Sequence, residues 1–88
     1  MREEIESAII EAFPGAEISL VDNTAAHSGH AAQKAHGGGH FALKIVSDKF
    51  EGLNRVKRHQ AVYAALEQHF SANDIHALQI QALLPEEV

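Results

Sequence analysis

Seven histidines and no cysteine bound the chemistry open to this 88-residue chain. His27, His30, His36 and His40 fall close together, in the spacing H-x2-H-x5-H-x3-H. Neutral imidazole is a good ligand for zinc, copper, nickel and iron, so a segment that gathered three such groups would hold one ion. The same spacing also describes a solvent-exposed loop that is simply rich in histidine, since its Gly and Ala neighbours preorganise nothing. The absence of cysteine excludes disulfides, a thiol nucleophile and a self-sufficient thiolate metal site. Any metal must be held by histidine or carboxylate, or a partner must bring the sulfur.

A fifth histidine, His76, opens the segment Asp74-Ile75-His76-Ala77-Leu78. Its parity with Leu78 and Ile80 places it on the core-facing side of a strand, where it is either a hydrogen-bonded core residue or a ligand at the strand's mouth. Lys49, Arg55, Lys57 and Arg58 put four of the seven basic residues in one ten-residue window. Cations at a helix start oppose the helix dipole. Either an anionic partner offsets this, or the helix start is a plain solvated polar face with Asp48 or Glu51 nearby. No Ser-His-Asp order, Walker loop or paired carboxylates stand out, and Gly37-Gly38-Gly39 precedes a strand rather than a helix. The chain is not expected to be an enzyme.

The elements that must position these groups follow from periodicity. Ile5, Ala8, Ile9, Ala12 and Phe13 recur at helical spacing from Arg2 to Phe13, behind acidic Glu3, Glu4 and Glu6, and Pro14-Gly15 ends that helix. Ala16 to Asp22 alternates as a strand with Ile18 and Leu20 on one face. Asn23 to Gly39 lacks periodicity and reads as a long loop. His40 to Ser47 gives a second strand, with Phe41, Leu43 and Ile45 facing one way, pairing antiparallel with the first. After a turn with Gly52 in a left-handed or close-packed position, Asn54 caps a helix from Arg55 to Phe70 whose stripe is Val56, His59, Tyr63, Leu66 and Phe70, broadened by Val62 and Ala64 or Ala65. Ser71 to Asp74 breaks it, and Ile75 to Leu83 alternates as a third strand. The expected fold class is α+β, a two-layer αββαβ arrangement with a three-stranded sheet covered on one face by helices.

This length allows one domain, residues 1–88, too small for a large catalytic cleft. With 45% hydrophobic and 22% charged residues and no apolar run of membrane-spanning length, it reads as a soluble globular chain. Met1-Arg2-Glu3-Glu4 carries no secretory signal, so a cytoplasmic location is expected. A net charge of −5 argues against general attraction to phosphate backbones, although the basic window allows a local patch.

His40-Phe41, Val46-Ser47-Asp48-Lys49-Phe50-Glu51-Gly52, Arg58-His59, Tyr63-Ala64-Ala65-Leu66 and Ile75-His76-Ala77-Leu78, in this order, resemble the BolA-like family over nearly the whole chain. The resemblance implies a fold like a type II KH domain, with a short extra helical turn near Leu53. It also implies a monothiol glutaredoxin as partner and a shared [2Fe–2S] cluster, in iron–sulfur cluster handling or iron and redox sensing. Some bacterial members are DNA-binding transcriptional regulators of morphology and stress response. One cluster ligand carries over to His76. The other comes from the first interstrand loop, a Cys or a His in the family, and carries over to His30, with His27 or His36 as alternatives. The two remaining ligands would be sulfurs of the glutaredoxin active-site cysteine and of bound glutathione, a mixed set that raises the cluster's potential. The isolated protein would then have no cofactor and be a monomer or weak dimer. Gln60 stands where the family often has Arg, and the KH GxxG loop is missing. Both weaken the alternative DNA reading through Lys49, Arg55, Lys57 and Arg58. The chain ends Glu86-Glu87-Val88 where many members carry an aromatic.

Overall fold

A computed structural model describes residues 2–23 and 39–88, so His27, His30 and His36 lie outside the described residues. The order is α1 (Arg2–Ala12), β1 (Glu17–Asp22), β2 (Gly39–Val46), a 3₁₀ turn (Asp48–Phe50), α2 (Arg55–Ala65), α3 (Glu67–Ser71), β3 (Ile75–Leu83) and a closing 3₁₀ turn (Pro85–Glu87). The sheet order is β1-β2-β3, with β1 antiparallel and β3 parallel to β2. The expected α+β architecture and its extra helical turn are both present, the turn a few residues earlier than Leu53. No helix of the described residues is long and apolar enough to cross a membrane.

Period-two and helical patterning build one core between the layers. Ile5, Ile9 and Phe13 from α1 and its end meet Leu20 of β1, Phe41, Leu43 and Ile45 of β2, and Val62 and Leu66 of the second helical segment. Phe50, fully buried by the 3₁₀ turn, packs its ring 5.3 Å from that of Phe13. Gly52 adopts φ +79°, a left-handed conformation that suits a residue without Cβ, and the chain then enters α2. Asn54 caps that helix by accepting a 2.9 Å hydrogen bond from the Lys57 N–H. Among the described residues, no helix covers the other face of the sheet. A shallow depression there is lined by Ser19, Val21, Ala42, Leu43, Lys44, Gln79, Ile80 and Gln81, all from the three strands.

Three sequence-based expectations change. The helix expected over 55–70 is two helices, because Leu66 leaves helical geometry at φ −109°, ψ 13° while its side chain stays buried. The buried seam of α2 runs through Val62 to Leu66, so Val56 is 63% exposed and Tyr63 is exposed too. Arg58 takes the inward position of the first turn, and Val56, about 200° away round the helix, turns to solvent. Finally, His76 is exposed rather than core-facing, and Ile75 is the buried residue at the start of β3. The register explains this last change. Gly39 pairs with Ile75 but His40 pairs with Ala77, so β3 carries one extra residue at His76. Such a bulge re-aims a side chain and resets strand parity, leaving Leu78, Ile80 and Ala82 inward.

Candidate functional site

The bulge brings two histidines together. His40, the second residue of β2, faces away from the core, because its neighbour Phe41 is buried. His76 lies on the adjacent parallel strand, and the two ring centroids are 5.2 Å apart with planes inclined at 51°. Backbone bonds fix both strand starts. The Asn23 N–H donates to the His40 carbonyl at 2.6 Å, and the Gly39 N–H donates to the Asp74 carbonyl at 2.9 Å.

The turn leading to His76 is held as well. His69 Nδ1 lies 3.0 Å from Asp74 Oδ2, and the Asp74 N–H donates to the His69 carbonyl at 2.8 Å. Asn73 sits at φ 62° between them, an αL conformation that Asn tolerates better than most residues. His69, unremarked in the sequence, thus helps to define where β3 begins.

Asn23 and Gly39 flank the connection that carries His27, His30 and His36, so its two ends join the described fold beside His40. Those three histidines remain candidates by sequence alone. Among the described residues, no three His, Cys, Asp or Glu side chains assemble into a metal-holding group. This end of the sheet can therefore offer exposed imidazole to something that brings further ligands.

At the far end of β3 the chemistry is closed. Arg58 donates from Nε to the Leu53 carbonyl at 2.8 Å and from Nη1 to the Ala82 carbonyl at 3.2 Å. Its Nη1 and Nη2 reach Glu87 Oε1 and Oε2 at 2.7 and 3.4 Å, and its guanidinium carbon lies 5.9 Å from the Phe50 ring centroid. Glu87 Oε1 also accepts from the Leu84 N–H at 2.6 Å. The Arg58 hydrogen bonds, followed by the Leu84 N–H, hold the Glu87 carboxyl below its ordinary value. Arg58 side-chain exposure is only 14%. Grouped by sequence with Lys49, Arg55 and Lys57 as a phosphate contact, it instead closes the C-terminal turn, its ion partner being Glu87 rather than Asp48 or Glu51. Lys49, Arg55 and Lys57 are exposed.

Comparison with known proteins gives a consistent result. The family described as BolA-like protein matches residues 9–87. The chain is 37% identical over 91 residues to the UV-induced protein uvi31 of Schizosaccharomyces pombe, covering 99% of this chain and 88% of that one. It is 41% identical over 76 residues to the SufE-like protein 1, chloroplastic/mitochondrial, of Arabidopsis thaliana, covering 82% of this chain and spanning only 20% of that protein. The solved BolA domain of SufE1 from Arabidopsis thaliana superposes with a TM-score of 0.82 at 35% identity, covering 98% of this chain and 93% of that domain.

Proposed function

The chain belongs to the BolA-like protein family, and on that premise we propose that it is an adaptor, not an enzyme, which binds a monothiol glutaredoxin and co-ligates a [2Fe–2S] cluster in iron–sulfur cluster handling or iron and redox sensing. The observation that carries the reading is the exposure of His76, turned out of the core by the β3 bulge beside the start of β2. An imidazole that faces solvent is reachable by a cluster on another protein. The donor set fits a shared site. This chain has no cysteine, so it supplies nitrogen and the partner must supply sulfur. His76 is the ligand from the folded body and His30 the ligand from the β1–β2 connection, with His27 or His36 as its alternatives. The cluster contributes iron cargo or one-electron chemistry, and this chain holds and orients one of its irons. A relative named SufE-like protein carries a similar domain, which supports an iron–sulfur setting.

The test is cluster reconstitution of a monothiol glutaredoxin with glutathione in the presence of this protein. A hetero-complex should co-elute, with a visible circular dichroism spectrum unlike that of the glutaredoxin homodimer. His76→Ala should abolish the new spectrum while the protein stays folded. A spectrum unaffected by His76→Ala and His30→Ala together would refute the ligand assignment. The alternative, DNA binding through the basic window, is left with Lys49, Arg55 and Lys57, because Arg58 is engaged internally. A salt-dependent gel shift lost on replacing those three residues would restore it.

A further inference from the structure

We infer that the hydrogen-bonded pair His69–Asp74 is the positioning device for His76: it holds the one strand pairing that precedes the bulge and so keeps His76 turned outward. Its role in cluster ligation rests on the reading above, whereas the holding of the bulge is a property of this chain alone.

A bulge interrupts the ladder, so the segment beyond it keeps its register only if something else fixes it. From Ala77 to Leu83 the pairing of β3 with β2 is continuous, but on the N-terminal side of His76 a single residue is paired, Ile75 opposite Gly39. One bridge at a strand end frays readily, because it makes few contacts against the backbone entropy of ordering it. If that bridge opened, His76 would be fixed on one side only and its ring would be free to sample many directions.

Asp74 supplies the constraint through backbone and side chain alike. Its carboxylate can only accept, so His69 Nδ1 carries the proton and donates to Oδ2 at 3.0 Å. The two side chains are 18% and 27% exposed, so this is a shielded contact rather than a surface pair. The Asp74 N–H donates to the His69 carbonyl at 2.8 Å, and the Asp74 carbonyl accepts from the Gly39 N–H at 2.9 Å. One residue thereby ties the end of α3 to the start of β2. The double contact between His69 and Asp74 also brackets Asn73, whose φ of 62° persists only where its surroundings hold it. Ile75 follows, buried on the inner face, and His76 after it emerges to solvent.

The experiment has two arms. In the partner-free protein, His69→Ala should speed hydrogen exchange of the Gly39 amide about ten- to a hundredfold, as expected on losing a hydrogen bond to a charged group. The Ser47 amide, which donates to the Leu83 carbonyl at the other end of the same pairing, should change by less than about twofold. His69→Asn, whose amide nitrogen can take the place of Nδ1, should restore most of the Gly39 protection. Equal acceleration at both amides would make the pair a support of the whole fold, and none at either would leave the burial of Ile75 to hold the register. Both results overturn the inference.

Reconstitution with a monothiol glutaredoxin and glutathione carries the test to ligation. His69→Ala should weaken retention of the cluster in the hetero-complex about tenfold or more, as losses of groups that orient a metal ligand do. It should also diminish the nitrogen hyperfine signal from His76, and His69→Asn should recover both. Asn54→Ala, which weakens the fold away from the bulge, should leave both unchanged. A hetero-complex that depends on His76 but is indifferent to His69→Ala would overturn the positioning role and leave the cluster reading intact. Where the unsubstituted protein forms no hetero-complex, the cluster reading fails, and exchange at Gly39 still decides whether the pair holds the bulge.

Discussion

The two ends of β3 use polar side chains in opposite ways. At the C-terminal end, Arg58 is almost wholly satisfied within the chain, by two backbone carbonyls, a carboxylate and an aromatic face. At the N-terminal end, about 20 Å away along the same strand, the polar groups His40 and His76 are turned outward together. A side chain whose donors match nearby acceptors contributes to folding, and an exposed one such as His76 is accessible to a partner. Charge alone does not separate the cases. Arg58, one of the four basic residues grouped by sequence, is engaged within the chain, and His76, placed by parity on the core-facing side, is exposed.

That contrast can be broken by mutation, and the largest effect should lie at the closed end. Arg58→Ala strands the Leu53 and Ala82 carbonyls and should destabilise the protein by about 2–3 kcal/mol in urea unfolding. Asn54→Ala removes the cap of α2 and should cost about 1 kcal/mol by the same measurement.

Glu87→Gln should act more weakly and mainly on pH dependence. Because the folded state lowers the Glu87 pKa, its contribution is present above the ordinary carboxylate range. It is lost as pH falls through the depressed folded value. Unfolding midpoints measured across the acid range should therefore fall less steeply in Glu87→Gln than in the parent protein.

At the open end, His76→Ala should change stability by no more than about 0.5 kcal/mol, as expected of an exposed residue outside the core. A loss as large as that of Arg58→Ala would show that His76 is structural and would erase the distinction between the two ends.

What could be read from the sequence was whatever local pattern determines. The Phe41, Leu43, Ile45 alternation specified the inner face of β2, Asn54 marked the start of α2, and the limits of β3 at Ile75 and Leu83 were legible. What escaped depends on partners distant in the chain. The bulge at His76 exists only in the pairing of β3 with β2, so no count along one strand could reveal the change in parity. The closeness of His40 to His76 follows from the same parallel register. The fate of Arg58 required Ala82 and Glu87, brought to it by the return of β3 across the sheet. The break at Leu66 had no Gly or Pro to announce it, since the residue stays buried while the backbone turns. The family resemblance singled out His76, but its exposure became visible only with the register.

The most direct test of the central claim measures which atoms bind the cluster. The protein, labelled with ¹⁵N only in its histidines, would be reconstituted with an unlabelled monothiol glutaredoxin and glutathione, reduced, and examined by pulsed electron paramagnetic resonance. The account predicts strong ¹⁵N hyperfine coupling from directly bound imidazole, with the His76 contribution lost in His76→Ala. A hetero-complex whose spectrum shows no such coupling, or the same coupling after His76→Ala, would contradict it.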